Sequence, residues 1–303
     1  MARAFLYMMM AALLTACGHR ASQQHTENAE QADSVATADV AVFATDSIAL
    51  NREDSMAIVK VCIDWPVSGD SALVSSIRQY ISEELAFNPT QEGKPKVILY
   101  TDGQKAVSET LNKHYKSLRK DWLEMAAEGM RDMTFEFALH TYVLENSDRY
   151  ITYISHQEGY TGGAHGYALS AGQTFRKSDG LRIGYQMEYN RQAETFEVKN
   201  QTLFKNPQSP QLLALIKEGV RSYFRENGEE ALDDEQLKDL LIGVEDVNRI
   251  PLPSGAPYFT KKGLAFVYQQ YEIAPYAAGL VNFDISYEKI RPFLTDKALE
   301  LLK

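Results

Sequence analysis

The spacing of apolar residues predicts five helical segments in this chain. Apolar side chains repeat every four residues after Asp70, which predicts a helix that begins at Asp70 or Ser71 and ends near Asn88. A longer amphipathic stripe predicts a second helix over about 104–130. A third begins at Ser209-Pro210, because serine caps helices and proline suits a first turn. A short acidic helix is expected over about 229–243, and a last helix over 287–302.

Between these helices the apolar period shortens to two, which is typical of strands. The alternation predicts strands over about 55–65, 133–145, 149–157, 167–176, 181–189, 194–199, 257–261, 264–272 and 280–285. Strands and helices are grouped rather than strictly alternating. The pattern therefore predicts an α+β fold, with an antiparallel β-sheet meander and helices packed on one face.

The first residues have the plan of a bacterial export signal. Arg3 precedes an apolar run over 4–14, which is too short to cross a bilayer as a helix. Leu14-Thr15-Ala16-Cys17 matches the lipobox pattern, in which small residues precede a cysteine that is acylated and then becomes the new N-terminus. We predict a signal peptide over 1–16 and lipidation of Cys17, with a membrane as partner. The alternative is an ordinary signal peptide with an incidental cysteine.

Composition separates a tether from a folded remainder. Residues 17–46 contain few large apolar side chains, which predicts a flexible tether. Removal of the predicted signal leaves 303 − 16 = 287 residues, enough for one large domain or two small ones. The net charge of −10 disfavours nucleic acid and anionic lipid surfaces and is compatible with a cationic partner. With Cys17 lipidated, Cys62 has no disulfide partner, and it is predicted to be a buried thiol.

A glycine-rich loop is the first candidate site. Gly162, Gly163, His165 and Gly166 combine backbone freedom with one imidazole. Exposed N–H groups in such a loop can hold an anion, and the histidine can act as an acid, a base or a ligand. The alternative is a tight connection between strands in which His165 makes a structural hydrogen bond.

A second candidate site is the aromatic segment 271–279, which contains Tyr271, Glu272 and Tyr276. We expect this segment to pack against the glycine-rich loop, so that Glu272 meets His165. A carboxylate and an imidazole form a reasonable acid/base unit, but such pairs are also common as structural contacts.

Two further patterns are weaker. His140, His156 and His165 would form a zinc site only if their strands were neighbours, and the six histidines lack clustered metal-ligand spacing. Gly69-Asp70-Ser71 is faintly similar to an esterase nucleophile block, but a helix cap explains it better. No cofactor is predicted.

The two candidate loops also carry a resemblance. Together with Leu203-Phe204 and the stretch 263–268, they resemble the DUF3298 domain, and residues 47–160 resemble the DUF4163 module that usually precedes it. The resemblance implies two α+β modules, over 47–160 and 161–303. Members are extracytoplasmic and often lipoproteins. Similar modules accompany a polysaccharide deacetylase domain in one enzyme and form the lysozyme-binding ectodomain of an anti-sigma factor.

The resemblance implies a cell-envelope lipoprotein that binds cell-wall glycan or a protein such as a lysozyme-like hydrolase. Binding is favoured over catalysis, because the chain lacks the deacetylase residues. A hydrolase or deacetylase that uses His165 and Glu272 and a structural scaffold are the alternatives. Gly18 follows Cys17 where an aspartate would favour the inner membrane, so the outer membrane is preferred. Whether the protein would face the periplasm or the cell surface is not predicted.

Overall fold

The computed structural model describes residues 42–89, 95–129, 131–190, 195–228 and 232–303. The predicted signal peptide, Cys17 and the tether up to residue 41 lie outside the described residues.

A six-stranded sheet, here called the large sheet, contains the strands β1 to β6 in chain order. Their bounds are β1 Ala44–Glu53, β2 Ala57–Ser68, β3 Phe135–Asn146, β4 Tyr150–Tyr160, β5 Tyr167–Arg176 and β6 Arg182–Ile183. Neighbouring strands are antiparallel except β2 and β3, which are parallel. A parallel pair needs a long crossover, and the helices between β2 and β3 supply it.

Two helices cover one face of the large sheet. They are α1 Ser71–Ala86 and α2 Gly103–Ala127, and an aspartate caps each N-terminus: Asp70 accepts from Ala72 and Leu73, and Asp102 accepts from Lys105. Burial of their apolar stripes against alternate residues of β2 to β5 creates one hydrophobic core, which includes Ile63, Ile77, Val107, Phe135, Tyr153 and Phe175.

The C-terminal half builds a second core around a three-stranded sheet, here called the small sheet. Its strands are β9 Tyr258–Phe259, β10 Leu264–Tyr268 and β11 Val281–Ile285, in the order β11-β10-β9. One face packs on α3 Pro210–Glu226, where Gly219 lets the Phe283 ring approach the helix backbone. The strands β7 Gln186–Asn190 and β8 Thr195–Lys199 form a separate hairpin. The helices α4 Asp234–Asp239, α5 Tyr287–Ile290 and α6 Asp296–Leu299 complete this half.

The two sheets meet through their remaining faces. Ile154 of the large sheet packs with Ala265 and Val267 of β10, and Gly172 leaves room for the Tyr258 ring. Thr152 joins the sheets by donating to the Phe259 carbonyl over 2.8 Å. The layers are therefore helices, large sheet, small sheet and helix. Alternate apolar residues in both sheets create this arrangement.

The predicted α+β class, with antiparallel sheet and helices on one face, is confirmed. Strand β1 begins at Ala44, inside the predicted tether. The sequence pattern does not indicate this strand because it is an edge strand in which only Ile48 is buried. The predicted strand over 181–189 divides into β6 and β7, which belong to different sheets. The predicted last helix is interrupted at Arg291–Phe293, because Pro292 lacks a backbone N–H. The module boundary predicted at residue 160 stays a prediction.

Candidate functional site

The two candidate loops pack against each other. The His165 ring stacks on Tyr276 with centroids 3.7 Å apart, and its Nε2 lies 3.1 Å from the Tyr271 hydroxyl. Its Nδ1 lies 2.9 Å from the Gly166 carbonyl oxygen. A carbonyl only accepts, so Nδ1 donates to it, and in that tautomer Nε2 accepts from the Tyr271 hydroxyl. We call these three side chains, His165, Tyr271 and Tyr276, the aromatic corner.

Tyr271 is held in an unusual backbone conformation. Its φ is +64°, in the left-handed region. The residue is nevertheless 55% exposed to solvent. This conformation costs a non-glycine residue about 1–3 kcal/mol, and such costs are concentrated at functional sites. The surrounding loop therefore presents a large ring to solvent at a position where glycine would be favoured.

Glu272 does not meet His165, so the predicted pairing is wrong. Its carboxylate turns inward and accepts hydrogen bonds from the backbone N–H groups of Ser254 and Gln269, the latter over 2.7 Å. Burial raises the pKa of Glu272, and those backbone hydrogen bonds oppose the rise. Glu272 therefore positions Tyr271 by closing the turn that carries it.

Two glutamines attach the same turn to the free edge of β5. The Gln270 side-chain oxygen accepts from the Ala168 N–H, and the Gln269 side-chain oxygen accepts from the Ser170 N–H, each over 3.0 Å. The Gln269 amide also donates to the Ser170 carbonyl over 2.7 Å. These side chains satisfy edge groups that another strand would otherwise pair with. Neither glutamine is predicted as a site residue from the sequence, in which their place next to Tyr271 is the available indication.

The glycines of the first loop have different roles. Gly162 has a φ of +86°, and a side chain there would lie 2.6 Å from the Met133 sulfur. A side chain on Gly166 would lie 2.6 Å from the Gly159 carbonyl oxygen. Both glycines are therefore required for packing. Gly163 is exposed, and a side chain there would lie 3.8 Å from the His165 carbonyl oxygen, an ordinary contact that packing allows.

A polar row of the large sheet ends at Ser170 of β5, which is hydrogen-bonded to Gln269 in the turn that carries Tyr271. His140 of β3 lies directly opposite His156 of β4, and His156 lies opposite Ser170 of β5. The Tyr142 hydroxyl lies 3.3 Å from His156 Nε2, and the rings of His140 and Tyr142 are 4.4 Å apart. Two residue pairs along, and therefore on the same face, Ala138 lies opposite Glu158. This polar face lies on the side of the large sheet that faces away from α1 and α2, next to the part that the small sheet covers, where Tyr142 packs against Ile154 and its neighbours.

Partial burial shifts the ionisable groups of this face toward their neutral forms. It lowers the pKa of His140, and the negative charge of nearby Asp64 partly offsets this effect. It also lowers the pKa of His156, and His140 lowers that pKa further. It also raises the pKa of Glu158, with a smaller contribution from Glu136. Neutral imidazoles each offer one donor and one acceptor, so the face can hydrogen-bond uncharged polar ligands.

The weaker alternatives find no support in this geometry. His140 and His156 are neighbours, but His165 belongs to the aromatic corner, and no group of three or more His, Cys, Asp or Glu within the described ranges is arranged to hold a metal. Asp70 is a helix cap. Cys62 is buried, as predicted. In the part of the chain that the structure describes, no helix is both long and apolar enough to cross a membrane.

Comparison with known proteins places part of the chain in a family. Residues 201–288, which include Tyr271 and Tyr276, match DUF3298, described as a protein of unknown function. No curated protein matches the chain.

Two solved structures share the fold. One is a member of the DUF3298 family from Bacteroides fragilis, with 19% identity and a TM-score of 0.61 over 86% of this chain and 96% of that one. The other is a DUF3298 family protein from Pseudomonas aeruginosa, with 12% identity and a TM-score of 0.54 over 85% and 96%. The chain therefore carries a DUF3298 domain at residues 201–288.

Proposed function

We propose that this chain is a cell-envelope lipoprotein, anchored through Cys17, that binds cell-wall glycan with the aromatic corner and the adjoining polar face. The resemblance of residues 47–160 to the DUF4163 module supports an extracytoplasmic place. The folded part would begin at Ala44, after a tether from the lipidated Cys17.

The observation that carries the proposal is the conformation of Tyr271. An exposed tyrosine at positive φ costs stability, and Glu272, Gln269 and Gln270 hold the turn that imposes it. Tyrosine combines a flat apolar ring with a polar edge and suits half-wet interfaces. Such rings stack on the C–H faces of sugars. Because Tyr276 is already covered by His165, Tyr271 offers the more open surface.

The polar face supplies the second half of a glycan site. Sugar hydroxyls both donate and accept, which matches the neutral imidazoles of His140 and His156 and the hydroxyl of Tyr142. A glycan chain that stacks on Tyr271 would extend from the β5 edge across β4 and β3.

A cationic protein such as a lysozyme-like hydrolase is a second candidate. Its support is the net charge of −10 together with Asp64, Glu136 and Glu158 around the same face. Glycan hydrolysis by the chain itself has less support. His165 is bonded to Tyr271 and a backbone carbonyl rather than to Glu272, so the acid/base pair that this alternative needed is not formed.

Sedimentation with insoluble peptidoglycan tests the proposal, with immobilised cationic muramidase as a parallel arm. We expect the chain to sediment with peptidoglycan, and soluble peptidoglycan fragments to compete. For substitutions of Tyr271 the matched control is Phe87→Ala, which removes an aromatic side chain from a residue that is 43% exposed and lies outside the aromatic corner. Binding to muramidase alone would support the second candidate instead. Binding to neither would contradict both.

A further inference from the structure

A cleft of 620 Å³ lies on the outer side of α2, beside β1, and shares no lining residue with the aromatic corner or the polar face. Its lining includes Arg52, Tyr115, Lys116, Arg119, Lys120 and Leu123. Four of these six are cationic, and one acidic residue, Glu124, also lines the cleft. The lining is therefore locally positive in a chain whose net charge is −10.

Two of the four cations are neutralised within the protein. Arg119 forms an ion pair with Asp54, and Lys120 lies 3.5 Å from Glu124. Arg52 and Lys116 have no carboxylate within salt-bridge distance among the described residues. Two positive charges therefore remain available at the cleft, and both residues are exposed.

The Arg52 guanidinium is fixed in place before any ligand arrives. Its Nη1 donates to the Asn112 side-chain oxygen over 3.0 Å, and its carbon lies 4.2 Å above the Tyr115 ring centroid. The Tyr115 hydroxyl in turn donates to Asp54 over 2.7 Å, which holds the ring. A guanidinium held by stacking and one hydrogen bond keeps further N–H donors free for a planar or tetrahedral anion. Preorganisation reduces the entropy lost on binding.

The far end of the cleft is apolar. Leu123 is 53% exposed and Ala127 is exposed, one helical turn apart on α2. A purely inorganic anion would leave this end unused.

We propose that this cleft binds a phosphate or carboxylate group attached to an apolar body. Arg52 and Lys116 hold the anion, and Leu123 contacts the apolar body. A soluble amphiphile and a lipid headgroup would present the same chemistry. The site is independent of the proposed glycan site, so either can fail alone.

Calorimetric titration of the full chain with monomeric dodecyl phosphate tests the proposal, and inorganic phosphate is the probe without an apolar body. We expect saturable binding of dodecyl phosphate and binding of inorganic phosphate that is about tenfold weaker or more. The joint substitution Arg52→Gln and Lys116→Gln should weaken dodecyl phosphate binding about tenfold or more, because charged hydrogen bonds are lost.

Lys113→Gln is the control, since it removes one positive charge from the helix that carries Lys116, at a position outside the cleft. Leu123→Ser should weaken dodecyl phosphate but not inorganic phosphate. Flotation with phosphatidylglycerol and with phosphatidylcholine vesicles distinguishes a lipid headgroup from a soluble amphiphile as the ligand. Binding to phosphatidylglycerol vesicles alone assigns a lipid headgroup. Binding of dodecyl phosphate without binding to either kind of vesicle assigns a soluble amphiphile. The proposal would be overturned if the chain bound neither dodecyl phosphate nor anionic vesicles, or if Lys113→Gln weakened dodecyl phosphate binding as much as the joint substitution does.

Discussion

Glu84 of α1 gives the stability of this protein a specific dependence on pH. Burial raises the pKa of its carboxyl to about 7, and a hydrogen bond with the Ser155 hydroxyl partly opposes the rise. The Ser155 hydroxyl also lies 3.0 Å from Thr141 Oγ1. In the unfolded chain the group titrates near 4.5. Because the folded state holds the proton more tightly, the contribution of Glu84 to stability is fully present below about pH 4.5 and is lost as the pH rises through about 7.

The size of the effect follows from the pKa difference. One pKa unit corresponds to about 1.4 kcal/mol, so the loss is on the order of 3 kcal/mol, reduced because the residue is partly exposed. Glu84→Gln keeps the shape and cannot ionise. We expect it to raise the free energy of unfolding by about 1–3 kcal/mol above pH 7 and to change it little at pH 4.

Urea unfolding at a series of pH values from 4 to 8 measures this difference. Glu83→Gln is the matched control, because Glu83 is adjacent but pairs with Arg182 over 2.6 Å. Neutralising Glu83 should lower stability at pH 7, the opposite sign. A difference between wild type and Glu84→Gln that stays constant across the series would refute the reasoning.

Three further outcomes are expected. His114 stacks on Phe137, and burial lowers its pKa to about 4, so the contribution of His114 to stability is lost as the pH drops from about 6.5 to 4. His114→Leu should remove this contribution to the pH dependence in acid unfolding curves. Gly219→Ala should lower the free energy of unfolding by about 1–3 kcal/mol, because its Cβ would lie 2.2 Å from Phe283; an unchanged urea midpoint would contradict the packing of α3 on β11. Cys17→Ser should release the protein from membrane fractions, and retention with lipid labelling would contradict the predicted anchor.

Much of the fold could be predicted because burial follows residue periodicity. The stripes of α1, α2 and α3 and the alternation of β3 and β4 are readable in the sequence. The parallel pairing of β2 with β3 is not, because alternation is the same in either direction. Nor is the position of His140 opposite His156, which depends on a β-bulge between Val143 and Glu145.

The candidate site was predictable to the level of loops but not of side-chain direction. Glycines and aromatic residues marked both segments, and their contact through His165 was expected. The direction of Glu272 depends on the positive φ of Tyr271, a conformation that sequence rules assign to glycine or asparagine. With Tyr271 in that conformation, the Glu272 carboxylate accepts backbone N–H groups of the turn, and the Tyr271 hydroxyl takes the place next to His165.

The most direct test of the proposed function is Tyr271→Gly, measured for both stability and binding. Glycine adopts a φ of +64° without strain, so we expect the urea midpoint to stay the same or rise, while affinity for soluble peptidoglycan fragments falls about tenfold or more. Tyr271→Phe keeps the ring and should retain most of the affinity. Unchanged affinity in a stably folded Tyr271→Gly protein would contradict the claim that this tyrosine is held exposed in order to bind glycan.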